Sequence, residues 1–188
     1  MSELSVGSLS GLAANSYVID VASGSSLDLS AGAVLPAGSI LQVVQTVKTD
    51  TFSSASTSYV DVTGLSATIT PSATGSKILI GYQLQGNARS GTVGGFFKLL
   101  RDSTDISIAD AAGSRDRTSG AILGGQDEIM FTGGFFLDSP STTSATTYKV
   151  QMRANVAQTV YLNRSHGDTD AATTPRGVSS ITLMEVAG

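Results

Sequence analysis

The residues that could do chemistry are few and lie in loops. His166 sits in Asn163-Arg164-Ser165-His166-Gly167-Asp168-Thr169-Asp170, and it is the single histidine of the chain. A hydrolytic reading would pair His166 with Asp168 and a nearby serine, since an imidazole oriented by a carboxylate can activate a hydroxyl. Serine is so abundant here that such a neighbour is expected by chance, and no Gly-x-Ser-x-Gly elbow occurs. Asp168 and Asp170 offer hard oxygen ligands of the kind calcium takes, but the remaining ligands of a calcium loop, including a late Glu, are absent. A second loop, Ser114-Arg115-Asp116-Arg117-Thr118, sets two guanidinium forks beside a carboxylate. Arg115 and Arg117 could grip a carboxylate or phosphate, or pair internally with Asp116. Gly91-Thr92-Val93-Gly94-Gly95 has no Lys-Ser/Thr ending and no following helix, so it is not a phosphate cradle. The expectation is a non-enzymatic protein without metal or cofactor. Its recognition residues would come from Arg89, Arg115, Arg117, Asn163, Arg164, His166, Asp168 and Asp170.

The elements that must carry these loops are strands. Tyr148-Lys149-Val150-Gln151-Met152-Arg153 alternates apolar and polar residues, and side chains of a strand point alternately to its two faces. Similar runs follow one another from Ile40 to Val186, with turn residues at intervals of order ten, the pattern of a sandwich or barrel. Ile78, Ile80, Tyr82 and Leu84 are expected to face inward. Ser58–Thr63 and Ala67–Thr70 read as two strands turning at Gly64, and Gly133-Gly134 reads as a bulge or bend. Phe96-Phe97 and Phe135-Phe136 each place a ring on both faces of a strand, so a second cover is needed there, most naturally a neighbouring subunit. The fold class is all-β, an antiparallel sandwich.

Composition agrees. The 188 residues are 40% hydrophobic and only 14% charged, and roughly a quarter of them are Ser or Thr. Hydroxyls therefore supply the polar surface, and β-branched Thr suits strands. A net charge of −4 with scattered Lys and Arg argues against nucleic acid as partner. There is no Cys, hence no disulfide framework and no thiolate metal site. The N-terminus lacks a secretory signal and no run approaches a membrane span, so synthesis in a cytoplasm and no membrane insertion are expected. Asn163-Arg164-Ser165 matches a glycosylation sequon, which in that setting is accidental. Residues 1–36 carry only short β-prone fragments such as Tyr17–Val21, and Leu35-Pro36-Ala37-Gly38 reads as a boundary. The expected organisation is an N-terminal arm, 1–36, that orders against a sister subunit or docking partner, and a β head, 37–188.

Several stretches carry a family likeness. They include Gly38-Ser39-Ile40-Leu41-Gln42-Val43-Val44-Gln45, Ser58-Tyr59-Val60-Asp61-Val62-Thr63-Gly64-Leu65, Lys98-Leu99-Leu100-Arg101-Asp102 and the ending Arg176-Gly177-Val178-Ser179-Ser180-Ile181-Thr182-Leu183-Met184-Glu185-Val186. From Pro36 onward the chain resembles the distal domain of bacteriophage fibre proteins, most of all those of phages of marine and aquatic bacteria. The resemblance implies a jelly-roll-like, homotrimeric head on the virion surface that contacts a host glycan or protein. Residues 1–36 would then attach to other virion proteins or wind the chains together. Only about 36 residues precede the head, which argues against a long shaft and admits a second reading, a head fibre or capsid decoration protein. The resemblance brings no catalytic residues.

Overall fold

The computed structural model describes residues 35–88, 94–125, 127–156 and 158–188. Of the expected arm, therefore, all but Leu35 and Pro36 lies outside the described residues. Those residues hold eleven strands: β1 (Ile40–Lys48), β2 (Phe52–Ser54), β3 (Val60–Ile69), β4 (Lys77–Ala88), β5 (Gly95–Arg101), β6 (Thr104–Ile106), β7 (Gly120–Ile122), β8 (Met130–Asp138), β9 (Thr146–Ala154), β10 (Val160–Leu162) and β11 (Ser179–Val186). All pairings between them are antiparallel.

Three pairs of these strands are halves of longer ones. β2 continues β1 along the same neighbour, β10 continues into β11 along one edge of β4, and β6 and β7 share one edge of β5. Counting each such pair as one leaves eight strands in two sheets, ordered (β1/β2)–(β10/β11)–β4–β8 and β3–β9–β5–(β6/β7). First pairs with eighth, second with seventh, third with sixth and fourth with fifth. That nesting is a single long hairpin rolled over on itself, a jelly roll. The sequence expectation of an all-β sandwich holds.

The core lies between the sheets. Ile78, Ile80, Leu84, Ile181, Leu183 and Leu162 face Phe97, Leu99, Val150, Met152 and Leu65, all essentially without solvent exposure. β9 shows the alternation read from sequence, with Tyr148, Val150 and Met152 buried and Lys149, Gln151 and Arg153 outward. Tyr82 lies partly buried against this core, its ring edge-on to Phe97 of the opposite sheet at 5.6 Å. At one end of the interior Arg101 Nη1 donates to both oxygens of Asp138 (2.9 and 2.8 Å), and Tyr148 Oη donates to the same carboxylate at 2.7 Å. This buried group joins β5 and β9 of one sheet to β8 of the other.

Two expectations about strand breaks need correction. Gly64 does not end a strand: β3 runs through it, with a register shift between Asp61 and Ser66 and Gly64 at φ 78°. The extra residues form a bulge, and glycine is the residue that accepts that backbone at least cost. Conversely, Gly133-Gly134 is not a bulge. β8 pairs with β4 without interruption from Ile78↔Asp138 to Gly86↔Met130. The glycines make room instead, since a Cβ on Gly133 would meet the Phe131 ring at 2.7 Å and one on Gly134 the Tyr82 hydroxyl at 3.0 Å.

Candidate recognition surface

The loop between β10 and β11 is an excursion from the middle of one strand. β10 pairs with Gly86–Ala88 of β4 and β11 resumes with Lys77–Gln83, both in the same direction. The base of the excursion is closed by Asn163 and Ser179. Asn163 N–H donates to the Gln85 carbonyl (2.6 Å), Gln85 N–H donates to Ser179 Oγ (3.0 Å), and Ser179 Oγ donates to Asn163 Oδ1 (2.7 Å). The Asn163 carboxamide also donates to the carbonyls of Lys48 (2.8 Å) and Asp50 (2.9 Å), where β1 breaks before β2. Its backbone sits at φ 61°, the left-handed region that Asn tolerates better than most side chains. Asn163 is fully buried. The expectation that it touches a ligand is therefore overturned: buried backbone carbonyls need donors, and its side chain supplies them.

Beyond that base the charged residues of the loop bind one another. Arg164 and Arg176 form a single antiparallel bridge. Asp168 lies between their guanidinium groups, 3.2 Å from Arg164 and 2.9 Å from Arg176. Arg164 further donates to the carbonyls of Ser165 (3.0 Å) and His166 (3.1 Å) and stands 4.6 Å over the Tyr161 ring. His166 stacks at a tilt on the same ring, centroids 5.5 Å apart. Both oxygens of Asp168 face arginine. Asp170 is exposed at the loop tip. With Thr169, Thr174 and Arg176 it borders a hollow of about 270 Å³; a second, of about 360 Å³, is bordered by Gln158, Thr159, Tyr161 and His166. Among the described residues no cluster of three His, Asp or Glu side chains is placed to hold a metal ion.

Of the other expected loop residues, Arg115 and Arg117 do not join this site. Arg117 Nε donates to the Ala109 carbonyl at 2.6 Å, and Arg115 is exposed. Asp116 pairs with neither of them. Its carboxylate accepts from Arg153 Nε (2.6 Å) and Tyr59 Oη (3.0 Å) on the outer face of β9 and β3. Burial, then the Asp116 hydrogen bond, push the Tyr59 hydroxyl well above its usual range. Arg89 lies outside the described residues. Sequence reading missed Tyr161, although the alternation of Val160-Tyr161-Leu162 already sets its ring opposite to two core residues. It also missed Arg176, twelve positions from Arg164 but directly across the hairpin.

The two outer faces of the sandwich differ in kind. On the β3–β9–β5 sheet, Lys98 pairs with Asp105 (2.6 Å) and lies 4.5 Å over Tyr59, while Lys149 pairs with Asp61 (2.9 Å). Phe96 on this face is capped by the Arg153 guanidinium of its own chain at 5.1 Å. On the other sheet the register aligns Val43, Met184, Leu79 and Leu137 in one row across four strands, and Gln45, Thr182, Gly81 and Phe135 in the next. Phe135 leans over Gly81 and is 74% exposed; Phe131, Val43 and Val47 are exposed too.

Fold and site together define an eight-stranded jelly-roll sandwich that carries a stapled loop inside its last strand. No family model matches this chain, and no curated protein matches it. Among solved structures it is similar to the infectious bursal disease virus VP2 subviral particle (16% identity, TM-score 0.37, 78% of this chain and 37% of that one). It is similar also to T=1 particles derived from that virus (14%, 0.34, 78% and 36%) and to its Gx strain (18%, 0.32, 78% and 37%). The chain spans little more than a third of the length of these structures.

Proposed function

We propose that this chain is a virion structural protein, the β head of a short bacteriophage fibre assembled from three copies, which recognises the host surface without covalent chemistry. The observation that carries this reading is the 163–178 excursion. A loop anchored on both sides by a buried Asn163–Ser179 hydrogen bond and cross-linked by Asp168 is pre-organised, and pre-organisation reduces the ordering cost of binding. Its outer edge offers an aromatic ring, an imidazole, hydroxyls and an amide around two shallow hollows, chemistry suited to a glycan or a polar protein surface. Several weak contacts of this kind gain strength when copies of the head bind together. Residues 1–36 would fix the head to other virion proteins.

The reading assigns no reaction. Glycoside hydrolysis calls for two carboxylates set across a scissile bond, one of them held protonated. The central carboxylate of this loop, Asp168, is instead neutralised by two arginines.

Gold-labelled antibody against the purified chain, imaged on intact virions, tests the placement. Label at the tail is expected; label distributed over the capsid would make the chain a decoration protein fixed through its N-terminal arm. Adsorption of the purified chain to host cells tests recognition, and an absence of adsorption would sink it. Release of fragments from host polysaccharide would overturn the non-enzymatic reading.

A further inference from the structure

Among the described residues, nothing covers the outer face of the (β1/β2)–(β10/β11)–β4–β8 sheet. Its outward positions on β1 are Val43, Gln45 and Val47, and on β8 Phe131, Phe135 and Leu137; between them lie Leu79, Gly81, Gln83, Ser180, Thr182 and Met184. None of these side chains is charged. The polar ones are small hydroxyls or amides, and Gln45 already donates to Thr182 Oγ1 at 2.8 Å. A groove of about 560 Å³ runs along this face, floored by Gly81, Gly133 and Gly134 and walled by Phe131, Phe135 and Met184. Apolar surface of this extent on one side is what protein contacts cover, whereas scattered exposed apolar residues need no explanation. The opposite sheet, in the same chain, has its ring and its cations paired off.

We propose that this face is the contact between copies of the chain, with Phe135 as its anchor. The proposal rests on the reading that the head contains several copies, and it names the surface they share. Two observations favour a second copy over a different partner. Apart from Lys77 at the end of β4, the outward positions of the face carry no charge, so copies of it meet with little repulsion and without needing a complementary pattern from another protein. Its size also fits. Four strands about 4.8 Å apart and roughly nine residues long, at about 3.3 Å each, make a face of about 600 Å² before side-chain relief. A standard interface takes about 800 Å² per partner. An exposed ring beside a glycine-floored groove is the pairing of knob and pocket that interface anchors use.

Sedimentation velocity of the full chain at micromolar concentration tests this. The wild type is expected to sediment as an oligomer, and molar sodium chloride to leave it unchanged or tighter, since no ion pair is involved. Phe135→Glu should weaken association by about 30-fold or more, the scale of losing an interface anchor. Thr68→Glu, on the outer face of β3, should not. Far-ultraviolet circular dichroism of both variants confirms the sheets, and Phe135→Ser provides a milder variant if the charge impairs folding. A wild-type monomer would overturn the proposal together with the multi-copy reading, leaving the face to another virion protein. An oligomer indifferent to both Phe135 variants would overturn the proposal alone. So would an oligomer that dissociates in salt.

Discussion

Ser179 Oγ donates a 2.7 Å hydrogen bond to Asn163 Oδ1 across a 16-residue separation, and both residues are fully buried. This bond turns what would be a gap in the sheet into a closed seam, because the same two side chains also hold Gln85, Lys48 and Asp50. Asn163→Ala would leave the buried Lys48 carbonyl and the partly buried Asp50 carbonyl without these donors, and place a side chain that makes no local hydrogen bonds at φ 61°. A loss of about 2–4 kcal/mol is expected, measured as a lower urea midpoint at unchanged slope. Asn163→Asp should be worse at neutral pH than in acid, since a carboxylate would face those carbonyls.

Glu185 gives the sheet a titratable clamp. Burial alone would raise its pKa, but donors at Ser72 N–H (2.7 Å), Ser72 Oγ (2.6 Å) and Gln42 Nε2 (2.6 Å) outweigh burial and hold it at about 2 instead of 4.5. A depressed folded-state pKa means that the carboxylate stabilises the fold above about pH 4.5. That stability is lost as pH falls from there towards 2, amounting to at most about 3 kcal/mol. Thermal unfolding of the wild type should show this slope between pH 5 and 2, and Glu185→Gln should flatten it while lowering stability at pH 7.

Where β5 approaches β10, Gly95 has no room for a side chain, because an added Cβ would overlap Val160 Cγ1. Gly95→Ala is expected to cost about 1–3 kcal/mol through overpacking. Val160→Ala in the same chain should recover part of that loss. If the two effects simply add in a double-mutant cycle, the close approach is not the cause.

Asp168→Asn separates loop order from fold stability. Its two ion pairs are partly exposed, so their removal should change global stability by no more than about 1 kcal/mol. Amide exchange over 164–176 should quicken, and adsorption to host cells should weaken if the loop is the recognition element. Faster exchange with undiminished adsorption would move recognition elsewhere.

Much of the fold was legible because period-two alternation is strong where one strand face is buried, as along Tyr148–Arg153 and Lys77–Leu84. The three-residue strands β2, β6 and β7 were not, since three residues hold too little pattern to stand out from a loop. Gly64 and Gly133-Gly134 were misread for a related reason. Glycine marks both a backbone that must turn left-handed and a spot that a neighbouring ring must occupy, and only the tertiary partners, Phe131 and Tyr82, tell the two apart. The loop residues were found by type but not by role. Nothing local distinguishes the buried Asn163 from the exposed Asp170, because what buries Asn163 is a break in β1, more than a hundred residues upstream.

That seam has a consequence for how such a head can change. The strand resumes in register after residue 178, so the sheets do not depend on what lies between the two ends of the staple. Lengthening a closed loop is also cheap, at roughly 0.6 kcal/mol per doubling. The segment from Arg164 to Val178 can thus be regarded as an exchangeable cassette. On the proposed reading, a lineage could rewrite its host preference there, in length as well as in sequence, while inheriting the same folding problem already solved.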